Sequence, residues 1–137
     1  MKNSSGSHSD IRKLKSKIGL GVKVWLEFNN GEPRNILGSG WAKLLNKINM
    51  GNKNEKYSLT SAAEDCGYSY KYAWNILKRI EQRTGLSPVE TGKGGPGGGG
   101  WVKLNEWGLL LLNTYNKVFE ELKKIEKNLD SFIRLEN

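Results

Sequence analysis

Between residues 69 and 84 the chain gathers side chains that could read a polyanion. Ala73, Ile76, Leu77 and Ile80 recur at i, i+3, i+4 and i+7, which commits one face of a helix to a core. The other positions carry Tyr70, Lys71, Tyr72, Trp74, Asn75, Lys78 and Arg79. Three large aromatics at a helix start are costly to expose without a contact. Asn and Lys can hydrogen-bond base edges or phosphates, and aromatic rings can touch thymine methyls and sugars. Ser69, placed to cap this helix, adds free N–H groups and a helix dipole that suit an anion. Packing against a neighbouring helix or hairpin would account equally well for Trp74 and in part for Tyr70, but hardly for Lys71 or Asn75. The candidate base readers are therefore Lys71, Asn75 and Tyr70. Ser69, Lys78 and Lys93 are candidate phosphate contacts, Thr60 and Ser61 are secondary ones, and Tyr72 and Trp74 complete the face.

A second concentration is glycine. Residues 92–100 hold seven glycines around Lys93 and Pro96, and residues 92–97 satisfy G-x-G-x-x-G literally. Dinucleotide binding by that motif needs a strand leading in, a helix leading out and an acid about 20 residues on. Here a strand-like Trp101-Val102-Lys103-Leu104 leads out, and Lys117 stands near the acid's place. A P-loop fails too, because Gly94 follows Lys93. The better reading is a hairpin tip whose Gly94 and Gly95 can lie close against a groove or backbone, with Lys93 aimed at phosphate.

Catalytic and metal chemistry find little to work with. The single cysteine, Cys66, and single histidine, His8, exclude a cysteine-built zinc site and leave no nucleophile–base pair. No enzyme activity and no cofactor are expected. The longest apolar run, residues 109–112, is far below the roughly 18 residues of a membrane span. The expectation is a cytoplasmic, nucleoid-associated protein with no membrane partner. The net charge is +8, and its placement says more than its size. Residues 1–104 carry 17 Lys/Arg against 8 Asp/Glu, whereas residues 105–137 carry 5 against 6. A basic domain joined to a near-neutral segment suggests a polyanion partner at one end and a protein partner at the other.

These groups need elements to place them. Residues 1–18 read as a disordered basic arm. Residues 22–29 alternate Val22, Val24, Leu26 and Phe28 with Lys23, Trp25 and Glu27 as a half-buried strand, closed by a turn at Asn30-Gly31 and Pro33. Ser39 can cap a helix to about Met50 with Trp41, Leu44, Leu45 and Ile48 inward. Ser58 caps a short helix to Cys66, ended by Gly67; Ser69 caps the longer one to Thr84, ended by Gly85. Two capped helices joined around a glycine have the sequence shape of a helix-turn-helix. Residues 88–91 and 101–104 read as two short strands. Asn105 then caps a helix that could continue to the C-terminus. On it Leu111, Tyr115, Val118, Leu122, Ile125, Leu129 and Phe132 alternate spacings of four and three, the seam of a coiled coil. A homodimer is the simplest way to bury that seam. The domains expected are the arm at 1–18, a winged helix-turn-helix at 19–104 and a dimerisation helix at 105–137. The fold class is mainly α with a small β wing.

Residues 69–74 (SYKYAW), residues 89–100 (VETGKGGPGGGG) and the spacing Leu104…Gly108…Leu111…Tyr115 resemble the N-terminal domain of ModE-type molybdate-responsive regulators. That domain is similar in fold to LysR-type regulators, and residues 58–63 (SLTSAA) fit both. The resemblance covers roughly residues 36–122, with Pro96 as a departure within the wing. It implies a winged-helix dimer whose reading helices, starting at residues 69–75, enter successive major grooves of double-stranded DNA, with residues 91–100 as the wing. Molybdate-sensing domains would follow the last helix in such regulators, so no molybdate binding is expected of these 137 residues. The expected function is a sequence-preferring transcription regulator. Two rivals remain: an architectural protein that coats DNA with little specificity, and an adaptor whose coiled coil recruits another protein.

Overall fold

The computed structural model describes residues 7–51, 57–93 and 100–133. The expectations for Gly94, Gly95 and Pro96 lie outside the described residues. The chain divides into two bodies, one of residues 23–118 and one of residues 7–22 with 119–133.

The larger body opens with a hairpin, β1 (Trp25–Asn30) against β2 (Glu32–Gly38), with Gly31 at φ 88° in the turn between Asn30 and Glu32. Only the first strand was legible in the sequence, and it begins at Trp25 rather than residue 22. Its alternation holds, since Val24, Leu26 and Phe28 pack against the core while Trp25 and Glu27 stay exposed. β2 shows no such period because residues 32–35 are all exposed and polar or proline; only Ile36 and Leu37, at its end, enter the core.

Helix α2 (Ser39–Gly51) buries Ala42, Leu44, Leu45 and Ile48, with Trp41 half-buried beside them. Ser39 is its first residue rather than the residue before it, a difference within the fraying of helix ends. Helix α3 (Leu59–Cys66) and helix α4 (Tyr70–Thr84) begin and end where the capping residues put them. Ser58 Oγ accepts from Ser61 N, and Ser69 Oγ accepts from Tyr72 N. Gly67 and Gly85 close the two helices at φ 76° and 86°, a conformation that glycine adopts without steric cost. Ala62 and Ala63 of α3 and Ala73 of α4 are buried in the core.

β3 (Val89–Gly92) and β4 (Trp101–Leu104) form the second hairpin, with Val89 opposite Leu104 and Gly92 opposite Trp101. β4 is tied to the segment before α3, because Val102 N donates to Tyr57 O at 2.9 Å. Helix α5 (Glu106–Lys127) starts on Asn105, whose Oδ1 accepts from Gly108 N while its Nδ2 donates to Ser87 O. Its first turns complete the core through Leu111, Leu112 and Tyr115.

The smaller body departs from expectation twice. Residues 8–15 are not an unstructured arm but helix α1 (His8–Lys15), capped by Ser7 through Asp10 N, although none of its residues is buried. The last helix does not run to the C-terminus either. It stops at Lys127, where Asn128 N and Nδ2 both donate to Lys124 O and leave a turn before the four-residue α6 (Leu129–Phe132). Asn competes for backbone hydrogen bonds in this way and so ends helices that apolar periodicity would continue.

Candidate nucleic-acid interface

α4 presents three faces at its start. Ala73, Ile76, Leu77 and Ile80 are buried, as the spacing requires. Tyr70 and Trp74, four residues apart, line a cleft of about 530 Å³ shared with the β3–β4 hairpin and the start of α3. Tyr72 turns the other way. Its ring meets Tyr68 edge-on at 4.9 Å, and Tyr68 in turn donates from its hydroxyl to Gly40 O at 2.8 Å. Between these flanks lie Lys71, which is exposed, and Asn75, which is half-buried. One helical turn separates them, so their side chains emerge side by side.

The cations are not equivalent. Lys78 Nζ is 3.3 Å from Glu81 Oε1 and 5.1 Å from the Trp74 ring centroid. Lys103 pairs with Glu90 at 3.7 Å across the second hairpin. Both are surface pairs, worth at most about 1 kcal/mol. Lys71, Arg79 and Lys93 form no ion pair among the described residues, and all three are exposed. Ser69 holds its helix cap and is exposed, while Thr60 is exposed at the start of α3. Ser61 is half-buried and accepts from Ser58 Oγ at 3.1 Å, so it serves the α3 cap first.

Sequence reasoning missed Tyr57, whose aromatic ring gave no period to follow. Its carbonyl holds the second hairpin, and its hydroxyl donates to Asp65 Oδ2 at 2.6 Å. Desolvation, helped by that bond and the Asp65 charge, pushes its pKa up. Gly108, which the sequence marked only as part of a family spacing, has its backbone against Pro88 O; a Cβ there would fall 2.1 Å from that oxygen.

The residues assigned to a dimer seam separate into two groups. Leu111 and Tyr115 lie in this chain's own core, at 4% and 5% exposure. They therefore hold α5 to its domain. Val118, Ile125 and Phe132 are exposed, and Leu122 and Leu129 are half-buried.

Three helices followed by an antiparallel hairpin and a longer helix, with α4 set between loop and hairpin, make a mostly helical protein compatible with the winged-helix class. No family model matches the chain. Over 59 residues it is 39% identical to the DNA-binding transcriptional dual regulator ModE of Escherichia coli (strain K12), and equally to the transcriptional regulator ModE of Shigella flexneri. The match takes in 43% of this chain and 22% of each relative, so it spans about a fifth of their length. The resemblance to ModE-type regulators thus rests on sequence identity over 59 residues as well.

Proposed function

We propose that this chain is a DNA-binding transcription regulator that acts as a dimer and prefers particular sequences. The observation that carries the reading is the outer face of α4. Lys71 and Asn75 emerge side by side, flanked by exposed aromatics and free of internal partners among the described residues. That is the donor set a helix needs to read base edges in the major groove. Lys93 on the second hairpin and Ser69 at the helix start then contact phosphates to either side. The relatives' names, a DNA-binding regulator among them, agree with this assignment.

Val118, Leu122 and Ile125 of α5, with Leu129 and Phe132 beyond the turn, pair with a second copy. Among the described residues no helix is long and apolar enough to cross a membrane.

The test is footprinting with the purified chain on random genomic fragments at several salt concentrations, because phosphate contacts make affinity salt-dependent. Discrete protected palindromes are expected. Even coverage of all DNA would replace sequence-preferring regulation with the architectural reading.

A further inference from the structure

The cleft beside α4 is not shaped for a phosphate backbone. Its lining contains one cation and one anion, Lys78 and Glu81, which already pair at 3.3 Å, so its formal charge is zero. A track for a polyanion would offer unpaired cations. What the cleft offers is aromatic surface: Tyr70 and Trp74 from α4 and Trp101 from β4, with Leu77 and Val89 among the apolar residues. At about 530 Å³ it falls within the range of small-molecule sites.

The walls are built in advance. Trp101 stands opposite Gly92 in the hairpin register, and a Cβ on Gly92 would lie 2.3 Å from the indole. Glycine at that position is what lets the indole lie down against the strand. Trp74 carries Lys78 near its ring, so an ammonium already occupies that environment and a second cation would be repelled. Thr60, Tyr70 and Thr91 line the cleft, and their hydroxyls form no side-chain hydrogen bond among the described residues. They can serve the polar edge of a ring whose faces lie on aromatic walls.

We propose that this cleft binds an uncharged planar heteroaromatic compound of two or three fused rings. Its polar edge meets the Thr60, Tyr70 and Thr91 hydroxyls. Because Tyr70 and Trp74 flank the reading face of α4, an occupied cleft would hold α4 and the second hairpin in one arrangement and change duplex binding. That consequence rests on the DNA-binding reading, whereas the site itself does not.

The same ring chemistry could come from a free compound or from an unstacked base in a single strand, and the experiment separates them. The full chain is titrated without duplex DNA, following tryptophan fluorescence, with adenosine, guanosine and lumichrome as free rings and single-stranded oligodeoxyadenylate as the strand. Saturable quenching by at least one free ring is expected. Thr91→Trp, which fills the cleft, and Tyr70→Leu, which removes a wall, should each weaken it by about tenfold or more with an unchanged unfolding midpoint. No saturation by any free ring, saturation by the oligonucleotide alone, or affinity unaltered in the variant that folds would each overturn the proposal. Ring binding in a chain that binds no duplex DNA would uphold the site and sink the DNA-binding reading instead.

Discussion

On the proposed reading Asn75 and Lys93 carry different kinds of contact, and removing each should leave a different trace. A side-chain amide that pairs with a base edge discriminates between sequences, while an ammonium on a phosphate does not. Asn75→Ala is expected to lower the preference for the selected site over random DNA by about 1–3 kcal/mol. Lys93→Ala should weaken all sequences alike and reduce the salt slope by about one. Competition gel shifts on both DNAs measure this, and equal losses for the two variants would remove Asn75 from the reading face. Cys66 makes a second residue-scale case. Its thiol is buried, and desolvation outweighs the opposing pull of Lys43 and Lys47 to push its pKa up. The thiolate is the reactive form, so alkylation of the folded protein near neutral pH should be slow and should become fast on unfolding. Mass spectrometry of iodoacetamide-treated samples with and without urea checks this; rapid labelling of the folded chain would contradict its burial.

At the scale of elements, the junction between the second hairpin and α5 holds the site together. Asn105 caps α5 and reaches Ser87, its backbone N donates to Pro88 O, and Gly108 passes that same carbonyl with no room for a methyl group. Gly108→Ala must therefore push α5 away from the strand that carries Val89. A loss of about 1–3 kcal/mol in chemical unfolding is expected, although alanine is the better helix former. A stabilised Gly108→Ala variant would show that the close approach is not a constraint. The helices themselves were largely legible, because their ends are chemical: Ser58, Ser69 and Asn105 cap, and Gly67 and Gly85 terminate. β2 and the stop at Asn128 were not. The first is polar along most of its length, and the second depends on a local hydrogen bond that periodicity does not register.

For the whole molecule, the tyrosines and the cysteine set an alkaline limit. Tyr57, Tyr68 and Tyr115 are all pushed above their ordinary value of 10.0, and Cys66 above 9.0, chiefly by desolvation. The folded protein thus holds these protons more tightly than the unfolded chain does. Stability is complete below the unfolded values and falls as pH rises through and above them. Urea midpoints should stay level to about pH 8 and decline beyond, less steeply in Tyr57→Phe; a level profile to about pH 11 would refute this. Dimerisation is also a property at this scale. With Leu111 and Tyr115 used by the core, the proposed pairing surface contracts to Val118, Leu122, Ile125, Leu129 and Phe132. Leu122→Asp is expected to yield a monomer in sedimentation that keeps the helical signal of the parent, and a persistent dimer would place the interface elsewhere. The sequence by itself determined the helix-turn-helix, the inward face of α4 and the chemistry of its outer face, because caps, glycines and a 3.6-residue period act over a few neighbours. Only the tertiary structure decided that Tyr70 and Trp74 border a neutral aromatic cleft while Tyr72 packs on Tyr68. It alone assigned the first part of the α5 stripe to the chain's own core. Those outcomes depend on which distant strand or helix arrives beside a side chain, and no local pattern records that.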